Sequence, residues 1–194
     1  MILWKTITEE NFKNKPVKYA NTDLYLLIEE RQIKEAIDFM AERLNLVYKK
    51  LNPIFIGVLK GSFVFLSDLI RQIKFDIQID FIELSSYYSS KESSGNVNEI
   101  KGLEASIEGR NVLLVEDIVD TGRTLSYLKD HLISRKPATL KICSLTSKPS
   151  CREYHIPLDF VGFEIPDKFI VGYGIDFNEK YRNLPEIYYI EDEK

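Results

Sequence analysis

NVLLVEDIVDTGRT, residues 111–124, sets a short apolar strand, two adjacent acids and a Gly/Thr-rich turn in line, and helical spacing follows at Leu125, Leu128, Leu132 and Ile133. A strand that passes through a tight turn into a helix is half of a crossover unit. The same order occurs upstream. Ile54 to Leu59 is an apolar run after Pro53, Lys60-Gly61-Ser62 ends it, and Phe63 to Ile73 returns to helical spacing. Ile77, Ile79 and Phe81 alternate with Asp76, Gln78 and Asp80, which predicts another strand running towards Leu84, and Leu140 to Leu145 predicts one more. Ahead of these, Ile33, Ala36, Ile37, Met40, Leu44 and Val47 recur at steps of three and four, the spacing of an amphipathic helix.

Strands alternating with helices imply crossover connections, so the fold class is α/β: a mainly parallel twisted sheet flanked by helices. After Pro149 the text changes to short aromatic-rich pieces, DFVGFEIPDKFIVGYGIDFN and LPEIYYIEDEK. Together with the N-terminal segment they are expected to form a small hood lobe. The chain then reads as a single domain over 1–194, with a core of about 30–148 and a hood from about 1–29 and 149–194. Between Ser85 and Ile100 the text SSYYSSKESSGNVNEI is polar and Ser-rich, which predicts a surface loop of a length usually tied to function.

Composition narrows the function. A net charge of −4 argues against a general nucleic-acid surface, which needs many Lys and Arg contacts to phosphate. No apolar run approaches the ~20 residues of a membrane span, and the N-terminus lacks the h-region of a secretory signal. Cys143 and Cys151 have no metal-ligand spacing with His131 and His155 and do not suggest a disulfide framework, so a reducing cytoplasm is expected.

The chemistry of 111–124 divides by position. Thr121, Gly122, Arg123 and Thr124 can wrap a phosphate with hydroxyls and backbone N–H groups at a helix start. Glu116 and Asp117 would repel phosphate, but adjacent carboxylates suit the vicinal hydroxyls of a sugar. Each fragment has an ordinary structural reading, a helix N-cap for one and a solvated strand end for the other. In this order, directly after a buried strand, they fit a ribose 5-phosphate.

VLLVEDIVDTGRT resembles the phosphoribosyl pyrophosphate signature of the type I phosphoribosyltransferases, and the chain from about Leu24 onward is similar to the hypoxanthine-guanine branch. LKGSFVF at Leu59, ELSSYY at Glu83, SLTSKP at Ser144 and the long stretch from Asp159 carry the likeness. The resemblance implies transfer of phosphoribosyl from phosphoribosyl pyrophosphate to N9 of a 6-oxopurine base, hypoxanthine and also guanine, with Mg²⁺ as cofactor. It gives Asp120 the role of base towards purine N7. It assigns pyrophosphate to Lys60, Gly61, Arg182, Ser86 and Tyr87, and it puts a non-proline cis peptide at Lys60–Gly61. Lys148 would donate to O6 of the base, Phe169 would stack on it, and Ile170 would offer backbone groups. Asp176, with Glu116 and Asp117, would hold the metal. Ser62 departs from the second glycine that many relatives carry.

A lysine has three donors and no acceptor, so Lys148 suits the carbonyl of hypoxanthine or guanine and opposes the amino group of adenine. A xanthine-preferring enzyme would use the same lysine. A non-catalytic regulator sensing nucleotides on this fold would show an added basic module or a broken base pocket, and neither is visible. The likeness also implies a homodimer or homotetramer, with small-molecule substrates and no nucleic-acid or membrane partner.

Overall fold

Consecutive apolar residues in the central strands reflect a sheet covered on both faces. In β4 (Ile54–Leu59) and β7 (Asn111–Val119), Ile54, Ile56, Val58, Val112 and Leu114 join a cluster with Leu125, Leu128 and Leu132 of α3 (Arg123–Ser134). Phe55, Leu113 and Val115 belong to a second, larger cluster. There they meet Ile33, Met40 and Leu44 of α1 (Glu30–Tyr48) and Phe65, Leu66 and Leu69 of α2 (Phe63–Arg71). Each such side chain, fully buried, contributes about 1.5–3 kcal/mol relative to exposure, so these two clusters hold the central strands in place.

The computed structural model describes residues 1–12, 15–86 and 97–191. Its larger sheet has seven strands in the order β1 (Ile2–Thr6), β9 (Phe160–Glu164), β8 (Thr139–Ser147), β7, β4, β5 (Gln78–Ser86) and β6 (Val97–Lys101). All neighbours are parallel except β5 and β6. Apart from β1 at one edge, chain order runs outward in both directions from the β4–β7 pair, which makes the carboxyl ends of those two strands the switch point where ligands of open α/β sheets collect. Both turns singled out in the sequence lie there.

A four-stranded antiparallel sheet stands apart, in the order β10 (Phe169–Val171), β11 (Ile187–Ile190), β3 (Thr22–Ile28) and β2 (Val17–Tyr19). It draws two strands from each end of the chain, and Tyr25 stacks on Tyr189 within it at 5.1 Å between centroids. The segments 1–29 and 149–194 do more than build this sheet, because β1 and β9 extend the large one, with Phe160, Val161 and Phe163 buried.

One expectation needs correction. Of the stretch 85–100 read as a loop, Ser85 and Ser86 end β5 and residues 97–100 belong to β6, which pairs antiparallel with β5. An edge strand has no need of an apolar face, so a polar run such as VNEIK carries no periodic signal.

Candidate active site

Strand β7 carries its two acids into the protein's interior. Glu116 and Asp117 are both buried, and the backbone carbonyl of Asp117 accepts a hydrogen bond from Thr146 Oγ1 at 2.8 Å. Burial, and then the neighbouring charge of Asp117, push the Glu116 carboxyl well above the usual carboxylate range. Asp117 is pushed up to about 6 by burial. Backbone N–H groups and the Arg182 guanidinium act in the opposite direction, and Asp176 adds a further upward push. At Asp117 burial therefore outweighs the compensation that Arg182 and the backbone provide.

Directly beyond them the chain makes the turn that starts α3. Gly122 has φ +85°, and a Cβ there would lie 3.0 Å from the Tyr154 carbonyl, so both conformation and space favour glycine. The Thr121 carbonyl accepts from the N–H groups of Glu153 and Tyr154, each at 3.0 Å, which clamps the turn to the segment after β8. A cavity of about 230 Å³ is lined by residues 116–125, bringing Glu116, Asp117, Asp120, Thr121, Gly122, Arg123 and Thr124 around one space. Arg123 reaches outward to Glu153 Oε2 at 3.3 Å.

The second turn approaches from β4. A Cβ on Gly61 would sit 1.9 Å from Asp117 Oδ2, so only glycine lets this backbone touch the acid pair. Gly174 closes on the same point, since a Cβ there would lie 2.2 Å from the Gly61 carbonyl oxygen. The cis peptide of this turn is Leu59–Lys60, one bond earlier than the Lys60–Gly61 position expected from the resemblance. Leu59 is the last residue of β4 in register with β5, opposite Glu83, so the chain reverses immediately after it.

The loop from Gly172 to Leu184 supplies the remaining ionic groups. Arg182 is mostly buried, with Nη2 2.9 Å from Asp176 Oδ1 and Nη1 donating to the Gly174 carbonyl at 2.9 Å. Asp176 Oδ2 accepts from the Glu179 N–H at 2.8 Å. Glu179 also bridges Lys60 Nζ at 3.2 Å and Arg182 Nη2 at 3.3 Å, which holds its carboxyl below the usual range. The loop is fastened to α2 by the Tyr173 hydroxyl, which donates to Asp68 Oδ2, while Arg71 pairs with the same aspartate.

On the side of the hood sheet, Lys148 is buried with Nζ 3.2 Å from Asp120 Oδ2 and 3.7 Å from Asp167 Oδ1. Phe169 opens β10 about half exposed, its ring edge-on to Phe177 at 5.3 Å. Ile170 is buried and pairs with Tyr189. Ser86 is the last residue of β5; its side chain and all of Tyr87 lie outside the described residues.

The structure thus brings the phosphate turn, the acid pair, Lys60, Gly61, Asp176 and Arg182 to one end of the sheet. Sequence reasoning missed Glu179, Asp167 and Tyr173. Their only local signal was charge or a hydroxyl, because the partners that give them meaning, Lys60 for Glu179, Lys148 for Asp167 and Asp68 for Tyr173, lie elsewhere in the chain. Among the described residues no three His, Cys, Asp or Glu side chains form a ready-made metal cage, and no helix is long and apolar enough to cross a membrane.

Comparison with known proteins adds independent findings. A model of the phosphoribosyl transferase domain matches residues 27–178. The hypoxanthine-guanine phosphoribosyltransferase of Bacillus subtilis (strain 168) is 48% identical over 162 residues, covering 84% of this chain and 90% of the relative. That of Aquifex aeolicus (strain VF5) is 44% identical over 170 residues, covering 87% of this chain and 96% of the relative. The crystal structure of a hypoxanthine-guanine phosphoribosyltransferase from Bacillus anthracis superposes with a TM-score of 0.81 at 48% identity, covering 86% of this chain and 98% of that one.

Proposed function

The chain belongs to the phosphoribosyl transferase family and is a purine-salvage enzyme; from that premise we propose how its residues divide the reaction. Phosphoribosyl pyrophosphate lies across the switch point between β4 and β7. Its 5-phosphate enters the cavity lined by 116–125, where Thr121, Gly122, Arg123 and Thr124 offer N–H groups and hydroxyls at the start of α3. Its ribose hydroxyls donate to Glu116 and Asp117. The pyrophosphate faces Lys60, the Gly61 backbone and Arg182, and the resemblance adds Ser86 and Tyr87 as further donors.

The base stacks on Phe169 with its edge along Ile170, and Lys148 Nζ donates to O6. N9 attacks C1′ as the bond from C1′ to the pyrophosphate oxygen breaks, and Asp120 accepts the proton from N7. The 3.2 Å contact between Lys148 and Asp120 supports this reading, because the donor for O6 and the acceptor for N7 must be near neighbours along one edge of a purine. Water must be kept from the developing oxocarbenium-like centre, a task for the segment that follows β5.

Mg²⁺ suits the acids at this point. Glu116, Asp117 and Asp176 present hard carboxylate oxygens, and the burial of Asp117, which Arg182 and backbone N–H groups offset only in part, favours a further cation there. When bound, the metal neutralises charge that develops on the leaving pyrophosphate. The same reading makes the protein a cytoplasmic homodimer or homotetramer, which light scattering tests.

The observation that carries the assignment is the meeting of two chain turns: Gly61 packed on Asp117, beside a cavity of about 230 Å³ at the helix start. The deciding experiment incubates the protein with phosphoribosyl pyrophosphate and hypoxanthine, guanine, xanthine or adenine, with and without Mg²⁺, and follows nucleotide formation. Hypoxanthine and guanine should react only with the metal, and adenine should not react. Nucleotide formation from xanthine alone would move the assignment to a xanthine-preferring enzyme.

A further inference from the structure

We propose that Glu179 is a specificity-determining residue of the pyrophosphate site, a built-in competing anion that only a ligand reaching both Lys60 and Arg182 can displace. The inference rests on the reading of that site given above. Its basis is the way one carboxylate is shared: Oε1 lies 3.2 Å from Lys60 Nζ, and Oε2 lies 3.3 Å from Arg182 Nη2. The two cations come from separate parts of the fold, the end of β4 and the C-terminal loop. One side chain holds them together as the oxygens of a diphosphate would.

The placement of Glu179 is fixed by its backbone. Asn178 and Glu179 both have positive φ, +52° and +59°, and the Glu179 N–H donates to Asp176 Oδ2 at 2.8 Å. Its carboxylate is nevertheless solvent-facing, as is Lys60, with about two-thirds and about half of the respective side chains exposed. The Lys60 pair is therefore screened and weak, and the Arg182 pair is the longer of two on a mostly buried Nη2 that Asp176 holds at 2.9 Å, so both can be exchanged. Arg182 also retains unused capacity, since its Nε is buried with no hydrogen-bond partner among the described residues.

Consider two anions competing for this place. An anion that engages only Lys60 or only Arg182 leaves Glu179 on the other cation and meets its negative charge at close range. It loses by repulsion most of what it gains. A diphosphate that engages both cations frees Glu179 to turn into water and replaces two weak contacts with stronger, more highly charged ones. Glu179 therefore lowers affinity for every anion but lowers it most for small ones, which raises discrimination in favour of pyrophosphate.

The test measures dissociation constants of inorganic pyrophosphate and orthophosphate by calorimetry at fixed Mg²⁺, for the wild type, Glu179→Gln, Glu179→Asp and Lys60→Met. Two screened pairs bound the effect at about tenfold or less. Glu179→Gln should tighten pyrophosphate about threefold and orthophosphate by more, narrowing the ratio between them. Glu179→Asp keeps the charge on a shorter stem that spans the two cations less well, and it should fall between. If Glu179→Gln leaves both affinities unchanged or weakens them, Glu179 is no competitor and the inference fails. If Lys60→Met leaves pyrophosphate affinity at the wild-type value, the site itself has been placed wrongly, and that result overturns the underlying reading instead.

Discussion

Glu116, Asp117, Asp120 and the turn from Thr121 to Thr124 come from one short run of chain, whereas Lys60 and Glu179, which pair across the other half of the site, lie 119 positions apart. The first region is held by burial and by backbone hydrogen bonds from Glu153 and Tyr154. The second is held largely by side chains on one another: the half-exposed pair of Lys60 with Glu179, the mostly buried Arg182 on Asp176, Glu179 and the Gly174 carbonyl, and the Tyr173 hydroxyl on α2. The difference teaches where each kind of precision comes from. In the reading proposed above, sugar and phosphate would meet a surface that a strand end and a helix start provide together, while the leaving group would meet side chains whose positions depend on one another.

Four substitutions sharpen or break this contrast. The largest effect is expected for Asp120→Asn, which should lower kcat by about 10²–10⁴ while phosphoribosyl pyrophosphate binding persists. Normal turnover in that variant would take the chemistry away from the contiguous region. Next comes Gly61→Ala. Its Cβ would collide with Asp117 Oδ2, and a displacement of this order in a reacting centre costs about 10² in kcat/KM. A fully active alanine variant would show that the two regions need not touch.

Tyr173→Phe probes the fastening of the leaving-group loop. It strips Asp68 of a partner, a loss of roughly 1–3 kcal/mol. Part should appear as a lower Tm and part as a higher KM for phosphoribosyl pyrophosphate, with kcat for bound substrate changed less. A lower Tm with an unaltered KM would mean that the loop finds its place without α2.

The smallest effect concerns pH. Asp117 titrates at about 6 in the folded protein against about 3.9 in an unfolded chain, so between those values the folded state holds the extra proton. Stability contributed by the neutral form is present below the lower value and declines as pH rises through about 6. In chelator, the Tm of the wild type should fall across that window more than the Tm of Asp117→Asn. Parallel profiles would mean that the burial of Asp117 is less complete than its position indicates.

What could be read in advance follows the same division. Ile54–Leu59 and Val112–Val115 announced themselves because strands covered on both faces must be apolar at every position, and the turns after them because glycine and acids at a strand end are uncommon without a purpose. Lys60, Asp176 and Arg182 entered by likeness to a family, since each alone is an ordinary charged residue. Glu179, Asp167 and Tyr173 stayed hidden because their meaning lies in partners brought near by folding. The cis bond was displaced by one position because peptide geometry leaves no trace in residue type. Strand β6 was hidden because a border strand can be polar throughout.

The parallel pairing of Ile2–Thr6 with Phe160–Glu164 bears on how the protein should be handled. Trimming those first residues would bare a row of unpaired amides along β9. A preparation clipped there should acquire a tendency to stick to itself, so a fusion tag is better attached where it leaves that border strand undisturbed.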